Sequence, residues 1–236
     1  MTPEEQQVAD VAAVDEALEM LSQGGAREAV SRLVDIIKRT PEDYAHVTDT
    51  GEALSIEFWT QDEFVHYVTW GQANGGIEKQ IVWTGNAYPR AHFYLGFVLV
   101  KDKQYERALA ILEAGSQLQP TCPRFHLEIA HALGMLGRHK EAIERYDLVA
   151  SEGPFTTLID VGVARRGVGF VHIEAGDLDS AEASFLSSLE VDPDSENAKH
   201  ELKYIEHLRA GGTQGEAEST ETVLGGSPRK WWQFWK

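Results

Sequence analysis

Nine histidines, one cysteine and 38 carboxylates are the groups in this 236-residue chain that could carry chemistry. Zinc requires three or four ligands that converge. His126 and His131 are five residues apart and fall on different faces of a helix, while His200 and His207 share a face without a third ligand. No metal set and no cofactor is therefore expected. Cys122 stands alone beside Pro123, so no intramolecular disulfide can form and no oxidising compartment is required. The carboxylates fall at ordinary solvent-facing positions, without the specific pairing that acid–base work needs. A Gly-rich loop before Lys-Ser or Lys-Thr, a nucleophile elbow and a Gly-x-Gly-x-x-Gly turn are all missing from the sequence. The expectation is a chain that is not an enzyme.

A second group of residues suggests binding chemistry. The C-terminal run Arg229-Lys230-Trp231-Trp232-Gln233-Phe234-Trp235-Lys236 puts four aromatics within five positions and flanks them with cations. Tryptophan favours places where one edge is apolar and the other wet, such as interface hot spots and membrane surfaces. Arg229, Lys230, Trp231, Trp232, Phe234 and Trp235 read as a docking motif on a tether. The motif could touch a membrane, bind a second partner, or fold back on the chain's own surface as a plug.

Charge narrows the partners. Lys and Arg total 21 against 38 Asp and Glu, a net −17. Non-specific affinity for nucleic acid comes from Lys and Arg, so no nucleic acid is expected as partner. The segment 227–236 holds three cations and no acid, which leaves −20 on residues 1–226. The 42% hydrophobic fraction excludes wholesale disorder. Residues 1–10 are polar and acidic, without the basic-then-apolar order of a secretory signal. The longest apolar stretch, 93–100, falls far short of the roughly 20 residues that span a bilayer. A cytoplasmic location is expected, with peripheral contact at the inner membrane surface if the tail makes it.

The elements that must position these groups show themselves as repeats. Gly96 is followed after twelve residues by Ala108 and after twelve more by Pro120; Ala130, Ala142 and Pro154 repeat both intervals. Gly169, Ala181 and Pro193 give a third copy, and Ala17, Ala29 and Pro41 a fourth. A small residue on each of two helices lets them cross closely, and proline ends the second helix. Turns at Gly24-Gly25, Asp102-Lys103, Gly137-Arg138 and Gly176-Asp177 separate the pairs. Asp194 and Ser195 offer caps for one further helix to about Arg209, with Ala198, Leu202, Ile205 and Leu208 on one stripe.

On these residues the sequence resembles the tetratricopeptide repeat family. Tyr94-Leu95-Gly96, Tyr105-Glu106-Arg107-Ala108 and Leu118-Gln119-Pro120 look like its consensus, as does the run from Gly176 through Ala183 to Asp192-Pro193. The aromatic that opens the family's first helix is replaced by His92, His126 and Arg165. The resemblance implies an all-α, right-handed solenoid of helical hairpins with a C-terminal capping helix and a flexible tail. It also implies that the first helix of each hairpin lines a concave groove for a protein or peptide segment. The residues there are Arg90, Phe93, Phe97, Arg124, Leu127, His131, Arg166 and Phe170. Arginines beside aromatics suit a segment with apolar side chains and one or two carboxylates. The family's carboxylate clamp uses Lys and Asn where Phe93 and Phe97 stand, so that activity is not carried over.

The repeat register divides the chain. Residues 1–43 read as a hairpin, 44–87 as an irregular aromatic-rich segment, and 88–210 as three repeats with the capping helix. A flexible linker, 211–228, and the basic aromatic tail, 229–236, complete the order. The segment 44–87 reads as a degenerate repeat with an insertion, with a helix opened by Thr60 and Glu63 and broken at Asn74-Gly75-Gly76. Phe58, Trp59, Phe64, Tyr67, Trp70 and Trp83 either pack that segment into the stack, against Phe93 and Phe97, or form a binding surface of their own. The function expected is a non-catalytic adaptor or scaffold; the alternative is an acidic, stoichiometric neutraliser of a basic protein, steered by net charge.

Overall fold

The computed structural model describes residues 2–212. In chain order the elements are α1 (Pro3–Ser22), α2 (Ala26–Ile37), β1 (Val47–Asp49), β2 (Ala53–Glu57), α3 (Gln61–Ala73), β3 (Gln80–Thr84) and α4 (Ala87–Lys101). There follow α5 (Tyr105–Leu118), α6 (Pro123–Met135), α7 (His139–Asp147), α8 (Leu158–Glu174), α9 (Leu178–Val191) and α10 (Glu196–Arg209). The pairs α1/α2, α4/α5, α6/α7 and α8/α9 are antiparallel hairpins, stacked side by side, and α10 closes the row on α9. The solenoid of helical hairpins with a terminal cap is thus as the spacing requires.

Small residues set the stacking distance. A Cβ on Gly96 would lie 2.5 Å from Leu112, and one on Gly169 2.7 Å from Phe185, so each second helix fits only against a bare backbone. Leu112 and Phe185 are fully buried as a result. Each hairpin turns through a left-handed residue: Gly24, Gly137 and Gly176 in three cases, and Lys103, at φ 59°, in the fourth. Ser195 caps α10 by accepting from the Ala198 amide. Pro154 does not end α7, which stops at Asp147; it stands in a longer connection to α8.

The segment 44–87 differs from a degenerate helical hairpin. It forms a three-stranded sheet ordered β1-β2-β3, with β1 antiparallel and β3 parallel to β2, and α3 as the crossover. Only Leu54-Ser55-Ile56-Glu57 alternates apolar with polar residues, and β2 is covered on both faces at its end, where Ile56 and Glu57 are both buried. Gly51, at φ 89°, turns between β1 and β2, its amide held by the Asp49 side chain. The α3 reading is correct: Thr60 caps the helix by accepting from the Glu63 amide, and Asn74 ends it. The Glu63 carboxylate accepts from the Trp59 amide at 2.8 Å, one residue earlier than a capping box would have it. Because α2 and α1 both pack directly on α4, the sheet and α3 are an insert looped out between two neighbouring hairpins.

One buried acid anchors the insert. Glu57, 2% exposed, accepts a hydrogen bond from the Tyr44 hydroxyl, and burial pushes its carboxyl up to about 8. Its Oε2 and the Thr121 hydroxyl are buried without hydrogen-bond partners among the described residues, and both residues line one small cleft.

Two outcomes follow from these features. Lys103→Gly relieves a left-handed lysine and raises stability by about 1 kcal/mol, read as a higher urea midpoint at unchanged m-value. Glu57 keeps its proton in the fold up to about pH 8, whereas an ordinary glutamate loses it near 4.5. Folding therefore takes up a proton in that window, and stability falls as pH rises through it. Glu57→Gln flattens that part of the stability–pH curve and stabilises most at its upper end; an unchanged slope between pH 5 and 8 counts against the buried acid.

Candidate functional site

The inner face is formed by the first helices of the hairpins, since α4 packs on α6 and α6 on α8. Its first half is already covered. Trp59, between β2 and α3, sets its ring edge-on to Phe93 at 5.2 Å and to Phe125 at 6.1 Å, and Phe93 meets Phe125 at 5.7 Å. Such edge-to-face contacts satisfy the ring quadrupoles while excluding water. The indole N–H of Trp59 donates to Gln119 Oε1 at 2.7 Å, and Gln119 Nε2 donates to the Glu57 carbonyl at 3.2 Å. Arg124 lies 5.1 Å from the centre of the Trp59 ring and forms an ion pair with Glu63. Farther along, Phe155 stacks on Phe58 at 6.3 Å, and His66 Nε2–H donates to the Gly153 carbonyl at 2.8 Å. The insert thus lies across α4, α6 and the connection before α8.

This placement sorts the residues of the inner stripe. Phe93 is 5% exposed and Leu127 3%, so both are core. Arg90 pairs with Asp15 of α1 at 2.6 Å, Arg124 with Glu63, and Arg166 with Asp192 at 3.0 Å. Each arginine of the stripe therefore already faces an acid of its own chain. That corrects the partner chemistry drawn from sequence: these guanidinium groups are not held ready for a partner's carboxylates. The half-buried rings of the stripe are Phe97, His131 and Phe170, one from each of α4, α6 and α8. Phe97 stacks on Phe93 at 6.5 Å, and Phe170 stands edge-on to Phe185 at 5.3 Å. Burial pushes the His131 imidazole down to about 3, so it is neutral and acts as a flat, polar-edged ring.

Sequence spacing located the stripe but missed its occupant. Trp59, Glu63 and Gln119 have no repeat register to mark them; only the aromatic density of 44–87 pointed to that segment. Cys122 lies at the foot of the covered half, where burial pushes its thiol up to about 12 and makes it a packing residue. Among the described residues no group of three or more His, Cys, Asp or Glu could hold a metal ion, and no helix is long and apolar enough to cross a membrane. The tail residues Arg229, Lys230, Trp231, Trp232, Phe234 and Trp235 lie outside the described residues.

Residues 99–159 match the family model of the tetratricopeptide repeat. No curated protein sequence matches the chain. Among solved structures, MamA 41-end from Desulfovibrio magneticus RS-1 superposes with a TM-score of 0.55 over 92% of this chain and 93% of that one, at 14% identity. PilF of Pseudomonas aeruginosa superposes with a TM-score of 0.58 over 89% of this chain and 72% of that one, at 11% identity. At these identities the likeness is one of fold. Taken with the stacked hairpins, the segment 99–159 makes this a solenoid of helical hairpins similar to those of the tetratricopeptide repeat, with an insert of its own laid along the inner face.

Proposed function

We propose that the chain is a non-catalytic adaptor that takes an extended segment of a partner protein along the inner face between Phe97 and Phe170. The observation that supports it is the presentation of half-buried rings by three successive inner helices, beside arginines that are already paired. A surface of this kind recognises apolar and aromatic side chains rather than carboxylates. The net −17 adds long-range attraction for a segment that also carries cations. The favoured partner segment is therefore aromatic and basic.

The acidic-neutraliser reading draws on the same charge but needs no groove, and salt separates the two. Ring-anchored capture tolerates salt, whereas a charge-driven complex weakens steeply with it. Proteins recovered by the full chain should be lost, with affinity falling about tenfold or more, when Phe97→Ala and Phe170→Ala are combined. Far-UV circular dichroism establishes that the variant is folded. Equal recovery by both chains sinks the groove reading, and loss of capture by moderate salt alone transfers the function to the surface charge.

A further inference from the structure

The last helix of the stack holds a buried carboxylate, one oxygen of which has no hydrogen-bond partner among the described residues. Glu201 of α10 is 4% exposed, and its Oε1 lies 3.3 Å from His200 Nδ1. Its Oε2 is buried and has no hydrogen-bond partner among the described residues. Tyr204, three residues on and so on the same side of the helix, is equally buried. An ionised oxygen removed from water is costly unless a cation or a set of donors meets it. Among residues 2–212 the main packing partner of α10 is α9, where Ala198 and Ile205 join the core around Phe185.

We propose that segment 227–236 of this same chain docks on the inner face from α4 to α10, its rings beside Phe97 and Phe170 and one of its cations on Glu201. The segment has the chemistry that the surface calls for: four aromatics in five positions, three cations and no acid. Its tether has the reach. Residues 213–226 connect it to the end of α10, and fourteen residues rich in Gly, Ser, Thr and Glu have a root-mean-square span of about 20 Å. Neighbouring helices lie roughly 8–10 Å apart, so that span brings the start of the segment to about α6, and the segment itself, extended at roughly 3.3 Å per residue, reaches the rest of the way to Phe97 on α4. A tether of this length holds the tail at an effective concentration on the order of millimolar. Modest affinity then suffices to keep the tail seated, and a partner must displace it. The proposal rests on the reading of the inner face as a segment-binding surface, but its test needs no partner. Failure here therefore leaves the capture result standing.

Trypsin cuts after Lys230, and intact mass reports release of residues 231–236 from the full chain. A seated tail is cut about tenfold or more slowly than a free synthetic peptide of residues 227–236, because cleavage follows the undocked population. Glu201→Gln and, separately, Phe234→Ser with Trp235→Ser should each bring the rate to that of the peptide. The tail variant lies outside the helical body, so the comparison survives a loss of fold in the other. Cleavage of the unaltered chain at the peptide's rate overturns the proposal. So does protection that persists in both variants, and so does protection that appears only when phosphatidylglycerol vesicles are added, which would assign the tail to a membrane.

Discussion

The structure depends on how closely the two helices of a hairpin can approach. At Gly96 and Gly169 the first helix offers only backbone, and Leu112 and Phe185 of the second fill the space that a side chain would take. In α6 the equivalent position is Ala130, fully buried, so a single methyl is accommodated there. With that distance fixed, the larger residues between hairpins join one continuous core from α1 to α8. The inner helices then stand in a row with their outer rings half-covered, and the inner face follows from the crossing distance.

The insert turns this general architecture into a particular one. A solenoid of this kind exposes its whole inner face to partners, whereas here Trp59 and its neighbours take the first half for themselves. The polar atoms of the contact are paired within the chain, through Gln119 and Glu63. This makes the covered half a permanent part of the fold. The uncovered remainder of the inner face carries the half-buried rings of Phe97, His131 and Phe170.

Much of this was legible in the sequence, and the illegible part has a physical reason. The hairpins announce themselves because a crossing point tolerates only Gly or Ala, and those residues recur at a fixed interval. The cap at Ser195 and the helix opened by Thr60 are equally local signals. The strands are not legible because each is three to five residues long and, apart from Leu54-Ser55-Ile56-Glu57, none alternates clearly between apolar and polar residues. Trp59 and Gln119 are 60 residues apart, and Arg166 and Asp192 are 26 apart. No spacing rule encodes such contacts. Helical periodicity could place Phe93 on the inner stripe, but not show that the chain returns to cover it.

The insert also changes how the molecule comes apart. A simple repeat array has only nearest-neighbour contacts, so it frays from its ends and its cooperativity decays with length. Here Trp59 touches α4 and α6 together, while Phe58 and His66 hold the connection before α8. One compact unit thereby stitches consecutive repeats across their inner side. The hairpins from α4 to the start of α8 are thus tied through the insert as well as through their neighbours, whereas α9 is held chiefly by its own hairpin partner α8.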